Sequence, residues 1–182
     1  MSAQETNLYT VTVPPMTKAL QALHTFLDKV DTHAKSKQLE WHPKGLQEDA
    51  LLQSRLISDQ FPFVRQVQVA CDNAKMGAAH LAEIEAPKFE DTEKTVAELK
   101  TRIEKTLAFL KTIKPAQVIG KEAVKITLPY WGGKSLTGFD YVNNYLIPNF
   151  YFHVTTAYSI MRKNGVEIGK ADYMGALPLA DL

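Results

Sequence analysis

Reactive side chains are few in this chain, and their spacing limits what they can do together. The histidines are His24, His33, His42, His80 and His153. No two lie three to five residues apart, so no local zinc-type pair exists. Cys71 is the single cysteine, which excludes a thiolate cluster. Its place on an apolar helical stripe marks it as an inert core thiol rather than a nucleophile. No serine stands in a Gly-x-Ser-x-Gly elbow. "WGGK" at 131–134 lacks the glycine spacing of a phosphate loop and reads as a turn. What remains is a site assembled from facing helices, which a bundle can build from residues far apart in sequence.

His153 is the histidine whose neighbours suggest such a site. In "YLIPNFYFHVTTAYSIMRKNG", residues 145–165, Asn149 and His153 stand at i and i+4 on one helix face, with Thr156 close by. Phe150, Phe152, Val154, Ala157 and Ile160 make the helix apolar almost all round, the pattern of a central helix. Its polar residues should therefore meet partners rather than bulk water. Two readings of His153 stand side by side: a buried hydrogen-bond network, and a ligand-binding or catalytic group. His24 reads as a packing residue beside Leu20 and Leu27, and His33 and His80 as solvated. His42, in Trp41-His42-Pro43, reads as a loop residue covering the core.

Composition removes whole classes of partner. Lys plus Arg number 21 and Asp plus Glu 20, a net charge of +1, so no global field attracts nucleic acid or an anionic membrane. No basic run alternates with aromatics. No stretch approaches the roughly 18–20 apolar residues that a membrane span needs. One cysteine and a polar N-terminus give no support for secretion. The expectation is a soluble cytoplasmic protein without nucleic-acid or membrane partners. Its 182 residues suit a single domain over 1–182, with 1–10 and 177–182 as loose ends.

Four long amphipathic helices position the candidate face. The first is expected to open after Pro14-Pro15, where Met16, Leu20, Leu23, Leu27 and Val30 form one stripe. "LQEDALLQSRLI" (46–57) reads as a short extra helix. The second long helix is expected from an Asp59 N-cap, with Pro62 in its first turn, and ends before Pro87. Its Ala70, Ala74, Gly77 and Ala78 leave part of one face small, for a close helix neighbour or a cavity. The third carries a capping box, Thr95 to Glu98. It places Leu99, Ile103, Leu107 and Leu110 inward and Lys100, Arg102 and Lys105 on a solvated face, and Pro115 stops it. At 121–137 the period changes to two, which predicts a short hairpin. The last helix runs from about Asp140 to Lys163, kinked or restarted at Pro148, and Asn164-Gly165 ends it. The tail beyond is expected to be irregular and laid on the bundle through Val166, Ile168, Tyr173 and Met174. The architecture predicted is all-α, a four-helix bundle with long crossover connections and a small β-hairpin insertion before the last helix.

Three stretches, "PNFYFHVTTAYSIMRKNGVEIGKADYMG" (148–175), "FPFVRQVQVACDNAK" (61–75) and "FEDTEKTVAELKTRIEKT" (89–106), resemble a family of domain-of-unknown-function proteins in bacteria and fungi. That family lies within the DinB/YfiT-like superfamily of four-helix bundles, and the resemblance spans residues 8–176. It implies a divalent metal, zinc or nickel, held by three histidines: one on the second helix and an H-x-x-x-H pair on the last. Matching the superfamily's Leu-Arg to Met161-Arg162 places the pair at Asn149 and His153, a following Gln at Thr156, and the remaining histidine near Gln66. Only His153 keeps the ligand type, and amides bind such metals weakly. The resemblance thus implies a small-molecule-binding bundle whose pocket, lined by Gln66, Asn149, His153 and Thr156, has lost the full metal site. The alternative it implies is a metal-dependent thiol S-transferase or hydrolase with His153 as ligand or general base. A structural, homodimer-forming role is a third.

Overall fold

The computed structural model describes residues 5–180. Four long helices make its frame: α1 (Leu8–Lys37), α3 (Phe63–Ala82), α4 (Val96–Thr112) and α7 (Ile147–Lys163), with the short α2 (Leu46–Gln53) in the first crossover. α1 begins well before the prolines that were expected to open it. Asn7 Oδ1 accepts from the Thr10 amide and Thr10 Oγ1 accepts from the Asn7 amide, each at 3.0 Å, a reciprocal cap. Pro14 and Pro15 therefore lie inside the helix, where each withholds one backbone donor. Leu8, Thr12, Val13 and Met16 are buried on that first stretch, and their apolar burial offsets the two missing bonds.

α3 starts at Phe63 behind an extended Pro62, not at Asp59, which lies in an exposed turn. The Pro62 carbonyl takes the Gln66 amide at 3.0 Å, so the helix ladder begins at once. α4 has the predicted cap: the Glu98 amide donates to Thr95 Oγ1 at 3.2 Å, and Glu98 Oε2 takes the Thr95 amide at 3.1 Å. Arg102 departs from the solvated face expected for it and is 2% exposed. Its guanidinium donates to Glu93 and Asp72, both at 2.9 Å, and to the Glu90 carbonyl at 3.1 Å. The segment 83–95 folds its acids back onto α4, and that brings a charged residue inside.

Before the last helix comes the hairpin, β1 (Lys125–Thr127) antiparallel to β2 (Ser135–Thr137), with Ile126 opposite Leu136. The short α5 (Pro115–Val118) precedes it and α6 (Gly138–Tyr141) follows. Val142–Leu146 then widen into a π turn, closed by the Ile147 amide on the Val142 carbonyl. Pro148, second residue of α7, has no N–H to give and crowds the carbonyl four residues back. The expected kink takes the form of this wider turn. After Gly165 at φ 82°, Val166 and Ile168 are buried as predicted. A short α8 (Lys170–Met174) closes the tail.

α3 packs against α7 and α4, and α1 against α4 and α7, so the order round the bundle is α1, α4, α3, α7. The two long connections cross diagonals, and the simple link joins neighbours α3 and α4. The small face of α3 serves close approach: a Cβ at Gly77 would sit 2.3 Å from Leu146 Cδ1. Among the described residues, no helix is long and apolar enough to cross a membrane.

Candidate functional site

The α3–α7 seam holds a buried polar pair. Gln66, first turn of α3, is 1% exposed, and His153, middle of α7, is 8% exposed. Gln66 Nε2 donates to the Phe61 carbonyl at 3.0 Å, which makes Oε1 the free end of the amide. That oxygen only accepts, so His153 Nδ1, 2.7 Å away, carries the hydrogen. The imidazole is fixed as one tautomer with a bare lone pair on Nε2. Among the described residues no hydrogen bond reaches Nε2. It is also not among the sealed, unpartnered atoms of the described residues, which are Gln60 Oε1, Asn73 Nδ2 and Arg102 Nε. Nε2 therefore touches solvent.

Two other predicted residues go elsewhere. Asn149 Nδ2 donates to Asn73 Oδ1 at 3.0 Å, forming a second rung one helical turn along α7. Thr156 donates to the Phe152 carbonyl of its own helix at 2.7 Å. The seam thus brings Gln66 and His153 together, and leaves Asn149 and Thr156 with partners of their own. Asn73 was missed, although it lies seven residues after Gln66 on the same helical face. Arg65 was missed as well. It ion-pairs with Asp91 and sits over the Phe61 ring.

Burial, and after it the Arg65 charge, hold the His153 pKa down at about 4. The imidazole is neutral at ordinary pH. The same environment is poor for a dication: Arg65 repels it, and Gln66 Oε1 is committed to the imidazole. Asn73 Nδ2, the buried orphan nearby, is a donor and lacks an acceptor, not a cation. Among the described residues no group of three His, Cys, Asp or Glu side chains could hold a metal ion. The residues present do not fit the three-histidine centre. The prominent clefts also lie apart from the pair. One of about 560 Å³ runs beside Lys29, His33 and Glu167, and another of about 560 Å³ beside Lys75, Met76 and His80.

His80 is half-buried rather than solvated, with Nδ1 3.2 Å from Tyr141 Oη. Tyr141 comes from α6, brought there by the hairpin, and that contact left no local signal in the sequence. Cys71 is sealed in the core, its pKa pushed up to about 12 by burial, as an inert thiol should be.

The bundle order and the α3–α7 seam are those of a DinB-like protein. A crystal structure of a DinB family member protein from Shewanella denitrificans superposes with a TM-score of 0.87 at 44% identity, covering 96% of each chain. The family described as "Domain of unknown function (DUF1993)" matches residues 8–174, and the chain belongs to it. No curated protein matches the chain.

Proposed function

We propose that this chain is a DinB-like binding protein that receives a small molecule at the α3–α7 seam through neutral His153, in place of a full metal centre. The observation that supports this reading is the 2.7 Å bond between Gln66 Oε1 and His153 Nδ1. It occupies the one good candidate partner of His153 and presents Nε2 as a pure acceptor. The group that suits such an acceptor is a hydroxyl or N–H. Phe152, half-exposed, adds apolar surface beside the position, its ring edge-on to the imidazole at 5.2 Å. A base with a pKa near 4 is weak for proton abstraction at neutral pH, so recognition is favoured over catalysis.

One observation favours the metal-dependent enzyme as a second reading. An imidazole anchored through Nδ1–H on a carbonyl, with Nε2 open, is oriented as metal-binding histidines are. Calorimetric titration of the protein with zinc and with nickel separates the two. The expected result is no stoichiometric site of sub-micromolar affinity. Such a site, lost in His153→Ala, would overturn the proposal and establish the second reading. A fragment screen read at the His153 ring by NMR tests the positive half. Hydroxyl- and N–H-bearing fragments should move its Nε2 signal, and a panel that leaves it unmoved defeats the proposal.

A further inference from the structure

A second cleft lies along α3, about nine residues and therefore roughly 13 Å beyond Gln66. Its volume is about 560 Å³, within the range of small-ligand sites. The segment 84–89 folds over the exposed face of α3 and forms its outer wall. Ile84, Pro87 and Phe89 make most of that wall apolar, and Met76 of α3 adds to the apolar lining. Lys75 and His80 supply the polar groups.

Lys75 is 3% exposed, which is rare for an ammonium. Its Nζ stands 4.0 Å from the centre of the Phe89 ring and 3.1 Å from Asp72 Oδ1. Asp72 is its one ionic partner among the described residues. That carboxylate is shared with Arg102, whose Nη2 donates to it at 2.9 Å. An ammonium has three donors, so Lys75 keeps hydrogen-bonding capacity beyond Asp72, whose charge is also met in part by Arg102, a guanidinium that pairs as well with Asp91 and Glu93. At the rim Lys88 and Glu85 offset one another.

His80 bounds the cleft on the other side. Burial raises the Tyr141 pKa, so its hydroxyl keeps its hydrogen, and it pairs with His80 Nδ1 at 3.2 Å. Burial also lowers the His80 pKa, so the ring is neutral. The Tyr141 bond takes up Nδ1 and leaves Nε2, on the opposite ring edge, as the second polar position of the imidazole. The cleft therefore offers a cationic donor, a neutral imidazole and apolar walls.

We propose that this cleft binds a small organic carboxylate, with its acid group on Lys75, its apolar body between Met76 and Phe89, and any second polar group on His80. The site is separate from the His153 pair. The reporter is Met76, one of five methionines and the one that lines the cleft, observed by NMR of the full chain labelled at methionine methyl carbons. Sodium benzoate should shift the Met76 methyl saturably while Met16 and Met161, buried in the core, stay fixed. Benzamide, of the same shape without the charge, should bind at least about tenfold more weakly, because charge-assisted bonds carry that much. Lys75→Met keeps the stem and should lose benzoate to the same extent. The proposal is overturned if benzoate leaves Met76 unmoved, if benzamide binds as well as benzoate, or if folded Lys75→Met binds benzoate unchanged. The benzamide comparison, made on the unaltered protein, decides the matter should that variant not fold. His153 ring signals should not move with benzoate, so this outcome and the fragment screen at the α3–α7 seam are read independently.

Discussion

Replacing His153 by Gln should make the protein less sensitive to acid, and the size of the effect follows from its environment. In the unfolded chain a histidine titrates near 6.5, whereas burial and Arg65 bring His153 down to about 4 in the folded protein. Between those values the unfolded state binds more protons, so stability rises with pH across the window and is lost as pH falls through it. At about 1.4 kcal/mol per pH unit the full gap corresponds to roughly 3 kcal/mol, of which about 2 kcal/mol is already lost at about pH 5. Domains of this size are stable by about 5–15 kcal/mol, so the loss is measurable. Gln at 153 removes the titration while keeping a donor for Gln66 Oε1. Other titrating groups, His80 included, are common to both proteins and cancel. Urea unfolding of each at about pH 7.5 and about pH 5 should show the wild type losing about 2 kcal/mol more than the variant. Equal losses, or a His153 imidazole proton signal titrating near 6.5, would refute both the neutral histidine and the recognition chemistry built on it.

Gln66→Leu should leave the buried His153 Nδ1–H without its acceptor and cost about 1–3 kcal/mol by thermal unfolding, with imidazole nitrogen NMR shifts no longer those of a single tautomer. Arg102→Met should abandon Asp72 and Glu93 together, destabilise by about 3–5 kcal/mol, and open residues 86–93 to hydrogen exchange; retained protection there would show that the guanidinium does not pin the segment. Gly77→Ala should push a methyl against Leu146, whose side chain can partly yield, for about 1–3 kcal/mol in a denaturant titration.

Helical periodicity carries far here because the first three long helices each show an apolar stripe and the last is apolar nearly all round. Thr95 with Glu98, the hairpin and the Gly165 terminus could all be read from local residue chemistry. The reading failed where distant chain decided the outcome. Pro14-Pro15 looked like an entrance because the cap before it, Asn7 with Thr10, is not of the Ser/Thr–Glu form. Arg102 looked solvated because the acids that bury it, Asp72 and Glu93, come from α3 and from a connection with no period. His80 looked solvated because Tyr141 reaches it through an insertion. At the candidate site, Gln66 and His153 were paired in advance only through resemblance; spacing alone gave His153 its helix face and Asn149 as a neighbour. The partner of Asn149, Asn73, needed the crossing of α3 and α7 to be known.

The seam also explains how this bundle can hold amides at the positions where the resemblance implies histidine ligands. A buried imidazole must satisfy its N–H, and a metal centre or an amide oxygen can each set the ring's orientation. Gln66 does so from α3, and the Asn73–Asn149 bond supplies a second polar rung. Both rungs join neutral groups, so neither carries the desolvation cost of a buried ion pair. Arg65, tied to Asp91 on the 83–95 segment, adds positive field at the imidazole end. Restoring a single histidine at Gln66 would remove the amide anchor but leave that field in place. On the proposed reading, electrostatics as well as ligand count set this seam against a dication and toward a neutral donor.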